Sequence, residues 1–118
     1  MSNLLGVYGE VLAAQYLRKQ GHEIITTNFR CHIGEIDIIS MDKDTMVFTE
    51  VKARISRFAD PAAYVDFRKQ KKIMQTARVY VVSRKVTCRT FRFDVIEVYM
   101  KDERTVEKIV QHKNAFGN

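Results

Sequence analysis

Residues 34–54, Gly-Glu-Ile-Asp-Ile-Ile-Ser-Met-Asp-Lys-Asp-Thr-Met-Val-Phe-Thr-Glu-Val-Lys-Ala-Arg, constrain the fold more than any other stretch. Two apolar runs rich in β-branched residues flank the polar break Asp42-Lys43-Asp44-Thr45, the pattern of a β-hairpin. Side chains alternate between the two faces of a strand. Asp37 therefore shares a face with Glu35 and Ile39, and Glu50 with Phe48, Lys52 and Arg54. A symmetric loop of two residues (43–44) or four (42–45) sets Asp42 opposite Thr45 and Met41 opposite Met46. Counting back, Asp37 falls opposite Glu50, and Glu35 opposite Lys52. A three-residue loop would shift the register and break this pairing.

Directly opposed residues have Cβ atoms roughly 4.5–5.5 Å apart, and like charges there repel. Two carboxylates so placed call for a positive group between them, and the simplest is a hard divalent cation such as Mg²⁺ with oxygen ligands. Lys52 projects from the face of Glu50, about 6.5–7 Å further along the strand. That spacing suits a group that steadies a phosphate oxygen or positions an attacking water. The plainer alternative is a solvated Glu-x-Lys ion pair on an ordinary strand.

The remaining chain supplies the frame. Residues 3–20 predict a helix with an apolar stripe of Leu4, Leu5, Tyr8, Val11, Leu12 and Leu17, stopped by Gly21. Gly6 and Gly9 inside it cost about 0.5–1 kcal/mol each against alanine, which points to close approach by another backbone. Glu10 lies on that small-residue side, either solvated or aimed inward at the carboxylate pair. A strand is expected over 22–31, with Asn28 and Arg30 closing the turn into the hairpin. Asp60-Pro61 reads as a helix start, followed by a helix over about 62–82 whose stripe is Val65, Ile73, Ala77 and Tyr80. Its outer face carries Arg68, Lys69, Lys71, Lys72 and Arg78, a solvated surface or, on a nuclease-like scaffold, a track for phosphates. Strands follow over 86–100 and 106–111, the second at an edge, and the tail 114–118 carries no signal.

With 118 residues the chain makes one domain, residues 1–118. Lys and Arg outnumber Asp and Glu by 20 to 14, a net +6 that suits a polyanion and equally an ordinary soluble surface. The two cysteines, Cys31 and Cys88, are isolated, which fits a reducing compartment rather than a disulfide scaffold or structural zinc. With no leader pattern and no long apolar run, a cytoplasmic protein that avoids membranes is expected.

Taken together, Gly6-x-x-Gly9-Glu10-x-x-Ala13-x-x-Tyr16-Leu17, Gly21, Asn28-x-Arg30, Gly34-Glu35-Ile36-Asp37, Phe48-Thr49-Glu50-Val51-Lys52-x-Arg54, Val65, Lys69, Ala77 and Arg92-Phe93-Asp94-Val95 cover almost the whole length. In this order and spacing they resemble the small bacterial YraN family, within the PD-(D/E)xK restriction-endonuclease-like superfamily. The resemblance implies an α/β fold, a mixed β-sheet flanked by helices, with an α-β-β-β-α-β core and a final edge strand. It implies that Asp37 and Glu50 bind Mg²⁺ or Mn²⁺, helped by the main-chain carbonyl of Val51, and that Lys52 assists the water or the transition state. Archaeal Holliday junction resolvases look similar here and use a first-helix glutamate, which corresponds to Glu10; that likeness alone suggests branched DNA and a homodimer. The superfamily's proline is absent, since Glu35-Ile36 precede Asp37, and Thr49 stands where the family more often has an apolar residue. The expected activity is endonucleolytic hydrolysis of DNA, with Arg54, Arg68, Lys69, Gln70 and Lys72 holding the backbone. The alternative is a non-catalytic DNA- or RNA-binding module that keeps the fold; a protein–protein adaptor would leave the hairpin acids unexplained.

Overall fold

The structure, a computed structural model, describes residues 4–56 and 65–117. They form α1 (Leu4–Lys19), β1 (Glu23–Arg30), β2 (Glu35–Asp42), β3 (Thr45–Ile55), α2 (Phe67–Ser83), β4 (Thr90–Met100) and β5 (Val106–Phe116). The strands make one sheet in the order β1-β2-β3-β4-β5. All neighbours are antiparallel except β3 and β4, which run parallel over Thr45–Ile55 and Thr90–Met100. A parallel pair needs a long crossover, and α2 lies within it. This is the mixed α/β architecture expected from the sequence, with β5 at one edge and β1 at the other.

Each helix covers one face. Ile73, Ala77 and Tyr80 of α2 pack with Ile39, Phe48 and Val95. Ala13, Ala14 and Leu17 of α1 pack with Ile38, Ile96, Val98 and Met100 on the other face. The expected stripe of α1 is therefore only half right. Leu4 and Val11 are exposed, and the buried line is Gly9, Ala13, Ala14 and Leu17. Small residues win because the helix lies close on β3: a Cβ on Gly9 would stand 2.6 Å from the Ala53 Cβ.

Several boundaries move. The expected start at Asp60-Pro61 falls outside the described residues, and α2 begins at Phe67, where the Asp66 side chain accepts from the Lys69 amide at 2.8 Å. Val65 is buried as expected but precedes the helix. β4 starts at Thr90 rather than Val86. β5 continues through the supposedly silent tail to Phe116, whose buried ring stacks on Phe93.

Candidate active site

The hairpin turns on two residues, with Lys43 at φ 55°, and its ladder pairs Asp42 with Thr45, Met41 with Met46, and so on to Ile38 with Thr49. That is the symmetric register. At the next step, where Asp37 meets Glu50, the ladder ends. β2 continues paired to β1 through Glu35, and β3 to β4 through Ile55, so the sheet parts between them. The distortion reaches β1, where Asn28, opposite Asp37 by register, takes φ 55°. Asparagine tolerates that left-handed conformation better than most residues.

Asp37 fills the parting. Its Oδ2 accepts a hydrogen bond from the Val51 amide at 2.7 Å, replacing the backbone acceptor that a continued ladder would supply. In an extended strand the N–H and C=O of one residue leave on the same edge, so the Val51 carbonyl shares the edge that faces Asp37. Asp37 and Glu50 are 8% and 5% exposed. Burial, then the charge of Glu50, pushes the Asp37 carboxyl up from 3.8 to about 8; the hydrogen bond that protonated Asp37 donates to Glu50 and the charge of Glu10 add to this, against the Val51 amide. At neutral pH the pair thus retains a proton.

Around the pair opens a cleft of about 420 Å³. Gly6 and Glu10 line it from α1, Lys52 and Arg54 from β3, and Lys69 from α2. The Lys69 ammonium lies 3.0 Å from Glu50 Oε2. Burial alone would lower the Lys69 pKa, but its hydrogen bond to Glu50 and the neighbouring carboxylates raise it, so the group stays charged. Arg54 reaches Glu97 at 3.4 Å, and Glu97 also accepts from Tyr99 and engages His112. Gln70 lies apart from the cleft: its amide donates to the Val65 carbonyl at 2.9 Å and ties down the helix entrance. Arg68 and Lys72 are exposed on α2 and do not line the cleft.

Among the described residues no three acidic, histidine or cysteine side chains converge on one point. The donors on offer are two carboxylates and a main-chain edge, with Glu10 set back on the cleft wall. This set fits Mg²⁺ or Mn²⁺: Mg²⁺ keeps several waters and takes one or two carboxylates plus substrate phosphates rather than an all-protein cage.

Sequence reasoning missed the Lys69–Glu50 contact, because the register of a helix over a sheet leaves no trace in spacing. It also missed a second polar cluster at the hairpin end of the sheet. There the fully buried Asp94 accepts two hydrogen bonds from Arg92, one from Gln111 and one from the Asn114 amide. Arg92 also reaches Asp42, and the buried His22 pairs with Ser40. The bonds from Gln111 and Asn114 to Asp94 pin β5 to β4, and the signal for the cluster was Arg92-Phe93-Asp94-Val95.

Residues 9–98, from the close-packed Gly9 through β4, match the family described as Uncharacterised protein family UPF0102. The chain belongs to the UPF0102 family. It is the YraN-like family, within the restriction-endonuclease-like superfamily, whose motifs the sequence carries. A UPF0102 protein of Caldanaerobacter subterraneus subsp. tengcongensis is 48% identical over 95% of this chain and 93% of its own length. A UPF0102 protein of Clostridium botulinum strain 657 is 43% identical over the same shares. No helix among the described residues is long and apolar enough to cross a membrane.

Proposed function

We propose that this UPF0102 protein is a divalent-metal-dependent nuclease that hydrolyses phosphodiester bonds in DNA. The observation that carries the reading is the buried Asp37–Glu50 pair at the parting of β2 and β3, where two carboxylates are held together and, among the described residues, are met by Lys69 and the Val51 amide. Isolated buried acids are costly, and a metal site is the common reason to retain them.

Asp37, Glu50 and the Val51 carbonyl would hold Mg²⁺ or Mn²⁺. A bound metal lowers the pKa of water and polarises a phosphoryl oxygen. Overall, water attacks phosphorus, the bond to one bridging oxygen breaks, and that oxygen leaves with a proton. The protein's own part is charge and position. Lys52, at the cleft wall next to Glu50, offsets the negative charge that grows on the phosphoryl oxygens. Arg54, at the cleft wall, is held by Glu97 of the neighbouring strand, and the exposed Arg68 and Lys72 extend a basic track along α2 for the flanking phosphates.

The test uses labelled linear, nicked, flap and four-way DNA with Mn²⁺ or with EDTA. Products are expected with Mn²⁺ alone. Asp37→Ala and Glu50→Ala should abolish them while DNA binding persists. Cleavage that survives either change would refute the site, and binding without products on every substrate would mark a DNA-binding module instead.

A further inference from the structure

Lys69 reaches the cleft from α2. It lies in the first turn of α2, its backbone amide fixed by Asp66, and its side chain is 51% exposed. Yet the ammonium tip lies 3.0 Å from a carboxylate that is 6% exposed. The arm thus reaches in from solvent to a buried acid that the proposed function assigns to a metal. An ammonium and a divalent ion compete for the same oxygen, since like charges at that range repel.

We propose that Lys69 is the resident counter-cation of Glu50 in the metal-free protein, yields that carboxylate to the entering divalent ion, and turns to a non-bridging oxygen of the bound phosphodiester. The inference rests on the metal-dependent reading of the cleft. Charge supports the exchange. With both acids ionised around it, one divalent ion is neutralised, so displaced Lys69 adds a positive charge at the cleft mouth to that of Lys52. A phosphodiester group brings one negative charge. Lys69 is therefore a gate for the metal and a positioning residue for the substrate, distinct in role from Lys52 on the strand.

The experiment compares wild type, Lys69→Met and Lys69→Arg by calorimetric titration with Mn²⁺ and by binding of a labelled DNA duplex in EDTA and in Ca²⁺. Lys69→Met should bind Mn²⁺ about tenfold more tightly, the scale of losing one neighbouring charge. It should bind DNA about tenfold more weakly in Ca²⁺ and almost unchanged in EDTA. Lys69→Arg should stay near wild type in both. Titrating the wild type with Mg²⁺ gives a readout that needs no variant: the NMR signals of the Lys69 εCH₂ should move. Equal Mn²⁺ affinity in wild type and Lys69→Met, or a Lys69 signal indifferent to Mg²⁺ that binds, would overturn the exchange while leaving the metal site standing. If no form binds Mn²⁺ or Mg²⁺, the metal reading falls and the exchange with it.

Discussion

Replacing Asp37 by asparagine should stabilise the metal-free protein, and increasingly so at higher pH. The Asp37 carboxyl sits at about 8 in the folded chain against an ordinary 3.8. Between those values the folded state holds one proton more than the unfolded state, so stability falls as pH rises. The slope for one group is about 1.4 kcal/mol per pH unit. From pH 5 to pH 8 the ceiling is about 4 kcal/mol, and water in the open cleft reduces it to roughly 2 kcal/mol. Asparagine has the shape of the protonated acid: its oxygen can accept from the Val51 amide and its nitrogen can donate to Glu50, with no proton to lose. In a chain of 118 residues, about 1 kcal/mol corresponds to roughly 4 °C. Thermal melts in EDTA should show the advantage of Asp37→Asn growing by about 8 °C between pH 5 and pH 8. Adding Mn²⁺ at pH 8 should raise the melting temperature of the wild type and leave Asp37→Asn unmoved. A gap that stays constant with pH, or a wild type more stable than the variant at pH 8 in EDTA, would refute the account of the pair.

Three further predictions concern the frame. The Thr49 hydroxyl is buried with no hydrogen-bond partner among the described residues, so Thr49→Val should add about 1–2 kcal/mol, read as a higher urea midpoint. Gly9→Ala would force α1 away from Ala53, and after the gain in helix propensity it should cost about 1–2 kcal/mol, with Ala53→Gly restoring much of the loss in the double variant. Burial holds the His22 pKa below 6.5 against the opposing pull of Asp42, so its contribution is present above pH 6.5 and lost as pH falls through the lowered value; relative to wild type, His22→Gln should hold its melting temperature better from pH 7 down to pH 5.

The candidate site was legible because two rules with period two met in one hairpin. The break at Asp42–Thr45 fixed the register, and the register brought Asp37 to Glu50. Thr49 was legible too, as a polar residue at a position that proves fully enclosed. What stayed hidden depended on packing between distant segments. Leucines drew attention to one side of α1, but backbone proximity at Gly9 decided which side faces the sheet. The last strand is expected to stop at Gln111 because His112, Lys113 and Asn114 interrupt its apolar pattern. Asp94 and Glu97 on the neighbouring strand give His112 and the Asn114 amide partners and carry the strand on to Phe116.

The parting of the sheet explains why the site lies where it does. A paired strand spends its backbone groups on its neighbours, so a ligand can meet the main chain only where pairing stops. β2 and β3 stop pairing at the level where opposed carboxylates would otherwise repel, and Asp37 takes up the Val51 amide. The helices then close the opening from opposite faces, α1 with Glu10 and α2 with Lys69. Had the ladder run on, Val51 would have been sealed by the backbone of β2 and Glu50 would have faced Asp37 with no access for solvent ions. The same two acids would then have been a defect in the core. It is the loss of a few ladder bonds, rather than the acids alone, that turns an unfavourable pair into a site able to accept a cation and a phosphate.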